Sequence, residues 1–214
     1  MSAASERLAL LLNPIRPQME RVGGWLHEAT DRADEPLRSM LRDSLSGGKH
    51  LRSALVIFTG RMFDLPLAPF CRLGAAVEAL HAATLVHDDL LDGAVLRRGR
   101  ASLHTAWSVE AAVLVGDYLL GEATALIAEL EHPRLLTLFA ETLRTMCAGE
   151  IRRAFAAPER FPSIEDYYCH GGQNRLVFCR CARDDGHPGR GQRTVGGRAP
   201  SLWPGVGDRL SDRG

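Results

Sequence analysis

Three aspartates, Asp88, Asp89 and Asp92, lie in the segment VHDDLLD, and two adjacent arginines, Arg97 and Arg98, follow in the next short loop. Carboxylates this close together repel each other, and their pKa values rise unless a metal ion or a basic group compensates. Mg²⁺ binds one or two carboxylates together with waters and phosphate oxygens, and a pair one helical turn apart can supply the carboxylates. Guanidinium groups suit phosphate oxygens. The segment therefore predicts binding of a diphosphate with magnesium, and a solvated acidic helix end is the alternative.

A second candidate anion site lies upstream in the segment SGGKHLR. Lys49 is the only lysine among 26 basic residues, and Arg52 follows three positions later, one turn along the same predicted helix. Two glycines before a lysine at a helix start let backbone N–H groups approach an anion closely. The segment therefore indicates a phosphate site, although a lysine and an arginine here could also be solvated surface charges.

Residues 1–170 show helical periodicity with turn signals between segments and no lasting alternation, which predicts an all-α fold. The predicted helices are 5–30, 35–45, 48–64, 67–93, 104–131 and 133–157, and one more begins near Ser163. Pro36 is placed early in its helix, and Ser163 is placed in a capping position.

The predicted helix 67–93 is apolar on most of its surface, which is typical of a central, buried helix. Its polar residues therefore need partners. At 100° per residue, one stripe of this helix contains four of them, with Asp89 at its edge: His81, Thr84, Asp88 and Asp92. We expect this stripe to face a functional cavity.

Composition indicates one domain with a substantial core, since the chain has 214 residues, 45% of them apolar, and 26 basic against 26 acidic residues. The balanced charge does not favour nucleic acid as a partner. The apolar run near the N-terminus ends at Asn13 and Pro14, so it predicts neither a signal peptide nor a membrane span, and we expect a cytoplasmic location. Five cysteines without metal-site spacing indicate reduced thiols.

Four segments in this order resemble the trans-isoprenyl diphosphate synthases, or polyprenyl synthetases: GGKHLR, EALHAATLVHDDLLD, LRRGRASLHTAW and VLVGDYLL. The resemblance extends from about Leu37 to Gly172. It implies an isoprenoid-synthase-type bundle of helices around a central cavity, incomplete at its C-terminus. It also implies a Mg²⁺-dependent prenyltransferase that condenses isopentenyl diphosphate head to tail with an allylic diphosphate, and a homodimer to which the helix 104–131 contributes.

The resemblance also assigns roles to individual residues. The group that it implies for catalysis at the allylic diphosphate is Asp88, Asp89, Asp92 and Arg97, with Mg²⁺ held by Asp88 and Asp92. The group that it implies for the isopentenyl diphosphate pocket is Lys49, Arg52, His81 and Arg98. One departure is Ser53, which stands where the family usually has proline after the arginine.

Product length is read from Ala83 and Thr84, which precede the first aspartate by one turn and by resemblance form the floor under the growing chain. Both are small, and the aspartate motif lacks the two-residue insertion common in bacterial short-chain types. The expected product is therefore medium or long, as in quinone side chains. The alternative is that Ala83 packs against a neighbouring helix.

The sequence from about Gly171 onward does not continue the resemblance. The family's lysine-threonine pair near position 173 and its second aspartate-rich motif are not found there, because Asp184 and Asp185 lack a third aspartate and an apolar helix. With ten glycines and eight arginines, residues 171–214 cannot bury a core and are expected to form a disordered tail after the synthetase part, 1–170. Permitted codons for GGQNRLVF, read one base later, encode GGKTASF. We hypothesise a frameshift near residues 169–172.

Two other functions remain open. The first is a non-catalytic or degenerate subunit that partners a complete synthase. The second is a different all-α metal enzyme, such as a phosphohydrolase with His87 and Asp88 as a metal pair, for which His81, His104 and His132 offer no convincing additional ligands. Under the leading interpretation, a polyprenyl synthetase, the chain by itself is expected to be inactive and poorly folded, since a buried central helix needs neighbours on all sides.

Overall fold

The computed structural model describes residues 3–155, with side chains from Glu6 onward. The helices are α1 (Ala3–Leu12), α2 (Arg16–Asp31), α3 (Leu37–Leu45), α4 (Leu51–Met62), α5 (Leu67–Leu91), α6 (Leu103–Ala106), α7 (Val109–Ala128) and α8 (Pro133–Ala154). A 3₁₀ turn spans Asn13–Ile15, and a minimal antiparallel pair consists of β1 (Leu96–Arg97) and β2 (Arg100–Ala101). The predicted all-α fold is confirmed.

Two of the predicted helices are interrupted. The helix predicted at 5–30 is divided by the 3₁₀ turn at Asn13–Ile15, where Pro14 cannot donate a backbone hydrogen bond. The helix predicted at 104–131 is divided because Ser108 is extended and its Oγ accepts from the Ala111 N–H at 3.1 Å, which starts α7 anew. The helix predicted near Ser163 lies outside the described residues.

Helix α5 is the central element, as its apolar surface predicts. It is buried at more than half of its positions and packs against α2, α4 and α7. Its Gly74 allows close approach, because a Cβ there would lie 3.3 Å from the Ser53 Cβ and 3.4 Å from the Val22 Cγ2. A core cluster formed with α3, α6 and α7 includes Leu41, Ala83, Leu103, Ala112, Val115 and Leu119.

The C-terminal end of α5 directs the chain back toward the bundle. Gly93 has a φ of +63°, and the Ala94 and Gly93 N–H groups donate to the carbonyls of Asp89 and Leu90 at 2.8 and 3.2 Å. This is a Schellman motif, in which glycine takes the left-handed position. It sends the chain into the β1–β2 hairpin directly after the aspartates.

The described residues divide into two units, of which the first ends at Leu130 and the second begins at Glu131. In the second unit, α8 begins with Pro133 in its first turn, and Arg152 and Arg153 in its last turn complement the helix dipole. The boundary predicted between 170 and 171 lies outside the described residues.

Helix α7 is the one helix in the range 3–155 with the length and mean hydropathy of a membrane span. Within its unit it packs along α5, and Ala112, Val115 and Leu119 are buried in the core cluster. A buried core helix has the same length and composition as a membrane span.

Candidate functional site

A cleft of about 510 Å³ opens between the segment before α4, helix α5 and the hairpin. The four residues that the sequence assigned to an isopentenyl diphosphate pocket all line it: Lys49, Arg52, His81 and Arg98. They come from segments far apart in the chain, so the fold creates one basic cleft from groups that the sequence presents separately.

The segment that carries Lys49 is a turn and not a helix. Gly47, Gly48 and His50 have left-handed φ values of +74°, +112° and +44°, and α4 begins only at Leu51. The expectation that Lys49 and Arg52 share a helix was therefore wrong. Both still line the cleft.

The hairpin places two neighbouring arginines in different surroundings. Arg98 and Gly99 form its two-residue loop with φ values of +51° and +77°, the signs that a type I′ turn requires. The Arg98 guanidinium lies over the glycines, since a Cβ on Gly48 would be 3.3 Å from its Nη1 and one on Gly47 would be 3.6 Å away. The glycine pair therefore also provides the space that Arg98 occupies.

Arg97 is directed at the aspartate segment. Its Nε donates to Oδ2 of Asp89 in a short ion pair, and both residues line a second cleft of about 260 Å³. Helix 67–93 was expected to be buried on most of its surface, but burial does not extend to all three aspartates: Asp89 is buried, Asp88 is half-buried and Asp92 is exposed at the end of α5. The reason is that the last turn of α5 leaves the bundle here.

The aspartates fit only a metal site whose remaining ligands are waters and phosphate oxygens. Among residues 3–155 no group of three or more His, Cys, Asp or Glu side chains is close enough to hold an ion. Asp89 pairs with Arg97, and Asp88 and Asp92 lie one turn apart at a solvent-accessible helix end. Two carboxylates completed by waters and phosphate oxygens are a ligand set that Mg²⁺ accepts, so these residues fit an ion that arrives with a diphosphate.

The electrostatics of the basic cleft favour an anion. The pKa of His81 is lowered to about 4, mainly by burial and then by the Arg52 guanidinium. Arg97 and Arg98 lower it slightly as well, whereas Glu78 opposes the shift. His81 is therefore a neutral imidazole near pH 7 and can donate one hydrogen bond. A positive field that disfavours a charged imidazole attracts a diphosphate.

Sequence reasoning missed Glu78, which also lines the basic cleft. Its Oε1 accepts from Ser53 N at 3.2 Å and Oγ at 2.9 Å, and its Oε2 lies 3.6 Å from the His50 Nδ1. Burial raises the pKa of Glu78, but the contacts with His50 and Ser53 outweigh it and the pKa is lowered. A carboxylate inside an otherwise apolar helix was the signal that could have found it.

His87 contacts α7. Its Nε2 lies 3.3 Å from the Val113 carbonyl oxygen and 3.7 Å from Asp117 Oδ1, and its ring lies over Gly116. These contacts give His87 a packing role between two helices. They do not support the metal pair with Asp88 that a phosphohydrolase would need.

The predicted floor residues differ in environment. Ala83 is fully buried in the core cluster, whereas Thr84 is half-buried and its Oγ1 donates to the His81 carbonyl at 2.8 Å. Ala82 and Leu85 line both clefts. Ala83 therefore packs against neighbouring helices, which was the alternative interpretation, and a role of either residue in product length stays a prediction.

Comparison with known proteins identifies the family. The profile of the polyprenyl synthetases matches residues 34–169, more than half of the chain. The chain belongs to the polyprenyl synthetase family. Among curated polyprenyl synthetases, the nonaprenyl diphosphate synthase of Mycobacterium tuberculosis is 33% identical over 161 residues, which cover 74% of this chain and 48% of the relative. The chain thus spans about a third to a half of the length of the curated relatives it matches.

Solved polyprenyl synthetase structures share the fold. A polyprenyl synthase from Caulobacter crescentus, crystallised with calcium and isoprenyl diphosphate, is 28% identical with a TM-score of 0.74 and covers 83% of this chain and 54% of its own. A decaprenyl diphosphate synthase from Rhodobacter capsulatus is 27% identical with a TM-score of 0.70, over 81% and 53% of the two chains. The predicted isoprenoid-synthase fold is confirmed.

Proposed function

We propose that this chain provides the isopentenyl diphosphate pocket and the first aspartate-rich motif of a polyprenyl diphosphate synthase. That enzyme condenses isopentenyl diphosphate head to tail with an allylic diphosphate. The observation that carries the proposal is the convergence of Lys49, Arg52, His81 and Arg98 on one cleft, beside the ion pair of Asp89 with Arg97.

Each side chain has a role that its chemistry permits. Lys49, Arg52 and Arg98 bind the diphosphate of isopentenyl diphosphate, since cations in a partly enclosed cleft are screened weakly. Neutral His81 donates a hydrogen bond to the same group without adding a charge.

The reaction needs no side-chain nucleophile. The C–O bond of the allylic diphosphate breaks and diphosphate departs, and the alkene of isopentenyl diphosphate forms a C–C bond to the allylic carbon. The resulting cation then loses a proton to the released diphosphate. Asp88 and Asp92 would hold Mg²⁺, which when bound neutralises charge on the departing diphosphate. Arg97, fixed by Asp89, lies next to this position and adds a cation that does not depend on the metal.

A medium- or long-chain product is supported by the names of the relatives, which include octaprenyl and nonaprenyl diphosphate synthases. The alternative is a subunit that pairs with a complete synthase. It is favoured by a relative named heptaprenyl diphosphate synthase component 2, from Geobacillus stearothermophilus, 38% identical over 108 residues.

Pairing with a second chain, either a copy of itself or a partner, is supported by exposed apolar side chains on α7, namely Val109, Val113 and Leu114. Such side chains are typical of a surface that another chain covers. Leu114→Arg should then lower the mass measured by light scattering.

The proposal is tested by binding and by turnover. Calorimetry with isopentenyl diphosphate should give saturable binding that Lys49→Ala weakens at least about tenfold, since one charge-assisted contact contributes that much. Arg7→Ala, which removes an exposed cation on α1, is the control and should change nothing. No binding by the unaltered chain, or equal binding by Lys49→Ala, would refute the proposed pocket.

Turnover separates the enzyme from the subunit. The chain is incubated with labelled isopentenyl diphosphate, Mg²⁺ and each allylic primer, and the products are separated by length. Because the sequence lacks the second aspartate motif, we expect binding without prenyl transfer from the chain alone. Co-purification with a complete synthase, together with a turnover or product length that differs from that of the synthase alone, would favour the subunit.

A further inference from the structure

Glu78 is a carboxylate in a cleft that otherwise gathers positive charge. It is 8% exposed, lies in the middle of α5 and lines the same cleft as Lys49 and Arg52. A negative charge at this position weakens the attraction of a diphosphate. Its contacts with the segment that carries Lys49 and Arg52 explain what it contributes instead.

Glu78 caps α4 from another helix. The Ser53 N–H belongs to the first turn of α4, where backbone donors have no partner within the helix, and it donates to Glu78 Oε1 at 3.2 Å. His50, the residue before the helix, makes no side-chain capping bond itself. The carboxylate therefore supplies an acceptor that the local sequence does not, and its charge suits the positive end of the helix dipole.

Ser53 makes this contact stronger than the residue usual in the family would allow. Its hydroxyl donates a second hydrogen bond to the same Oε1 at 2.9 Å. Proline at this position would have neither the hydroxyl nor the N–H. Serine in place of the usual proline at position 53 therefore allows both hydrogen bonds to the carboxylate of Glu78.

The other carboxylate oxygen of Glu78, Oε2, contacts the turn at His50. His50 has a left-handed backbone with a φ of +44°, a conformation that costs free energy in a residue with a side chain. Its Nδ1 lies 3.6 Å from Glu78 Oε2, and the contact with Glu78 raises the pKa of His50. One carboxylate thus contacts the residue after Lys49 and the residue after Arg52.

We propose that Glu78 is a positioning residue for the isopentenyl diphosphate pocket. It holds His50 and Ser53 so that the turn from Gly47 to Arg52 keeps Lys49 and Arg52 directed at the same diphosphate. This inference rests on the proposed function for the identity of the ligand, whereas the restraint on the turn can be measured without any ligand.

Lys49 makes a direct test possible, because it is the only lysine of the 214 residues. A lysine-specific endoprotease can cut this chain at one bond only, Lys49–His50, inside the restrained turn. Its cleavage rate therefore reports local opening of that turn. Unfolding in urea, followed by circular dichroism, reports the stability of the whole unit in parallel.

The test compares two variants with a matched control. Glu78→Gln keeps the size of the side chain and removes its charge, and Ser53→Ala removes one of the two hydrogen bonds. Glu129→Gln removes a different carboxylate, whose Oε2 lies 3.3 Å from Arg72 Nη1 and which lines neither cleft. All three are measured with and without isopentenyl diphosphate, and binding of an allylic diphosphate is measured as well.

Glu78→Gln makes charge-assisted contacts neutral, and Ser53→Ala removes one hydrogen bond. Each should speed cleavage about five- to tenfold, since a loss of this size shifts a local opening equilibrium by that factor. Binding of isopentenyl diphosphate should weaken by a similar factor, with little change for the allylic diphosphate. Glu129→Gln should behave as the unaltered chain.

Cleavage and isopentenyl diphosphate binding that stay unchanged in both variants would overturn the positioning role and leave the proposed function intact. Equal weakening for both diphosphates, together with a matching global loss of stability, would also overturn it, because that pattern means general structural damage. If the unaltered chain binds no isopentenyl diphosphate, the proposed function fails, and the role of Glu78 in that pocket fails with it, even where cleavage depends on Glu78.

Discussion

The imidazole of His87 on α5 occupies the space that a side chain at position 116 of α7 would need, so Gly116 is where the two helices interlock. The ring lies within 3.3 Å of the Val113 carbonyl oxygen. His87 immediately precedes the aspartates, so the packing of α5 on α7 fixes the helix that carries them.

Gly116→Ala should destabilise the protein by about 1–3 kcal/mol, because the methyl group displaces His87 in a packed interface. Gly121→Ala is the matched control on the same helix. A Cβ there meets nothing within 4 Å, and the substitution should stabilise by up to about 1 kcal/mol through helix propensity alone. Urea unfolding measures both, and equal effects would contradict the interlocking.

Asp89 and Arg97 should be energetically coupled. The Asp89 side chain is 10% exposed and that of Arg97 is 35% exposed, so removal of one partner leaves a poorly solvated charge on the other. In a double-mutant cycle with Asp89→Asn and Arg97→Gln, we expect a coupling free energy of about 1–3 kcal/mol. A coupling near zero would mean that the ion pair does not hold the hairpin to α5.

The stability of the protein should depend on pH through His81. Its pKa in the folded state is about 4, below the ordinary value of 6.5, because of burial and the Arg52 guanidinium. As the pH falls from 6.5 to 4, the unfolded chain takes up this proton first, so the free energy of unfolding decreases. Above this window the contribution is fully present.

Between pH 7 and pH 4.5, the free energy of unfolding of His81→Gln should therefore fall by about 1–3 kcal/mol less than that of the unaltered protein. His50 and Glu78 also titrate, but they are present in both proteins and their effects cancel in the difference. Parallel pH profiles of the two proteins would show that His81 is not shifted in this way.

Ala83→Phe should act on stability and not on product length. Ala83 is 0% exposed in the core cluster, so a phenyl ring there overpacks the core and costs about 1–3 kcal/mol or more. Thr84→Phe, at a half-buried position, is the better variant for shortening a product in an active, full-length version. If Ala83→Phe gave a shorter product with an unchanged melting temperature, Ala83 would be a floor residue.

The sequence hypothesis for residues 169–172 is tested on the DNA. The family match ends at residue 169, next to the segment where the frameshift was predicted. Resequencing should find codons that encode the lysine-threonine pair in the next frame. Codons that cannot encode this pair would eliminate the hypothesis.

The sequence alone determined the all-α fold, the central position of α5 and the basic and acidic residues of the two segments that we propose bind diphosphates. These features depend on local periodicity and residue type, which are present in any short window of the chain. The sequence also showed serine at position 53, where the family usually has proline. It did not show that the partner of Ser53 is Glu78, which lies 25 positions away.

Only the tertiary structure decided which of these residues meet. The left-handed turn at Gly47, Gly48 and His50 moved Lys49 off the helix, and the helix end at Gly93 left Asp92 exposed while Asp89 turned inward to Arg97. The roles of Glu78 and Gly116 depend on contacts with another helix, α4 for Glu78 and α5 for Gly116. A one-dimensional pattern predicts which face of a helix is apolar, but the partner of each polar group depends on how the helices pack in three dimensions.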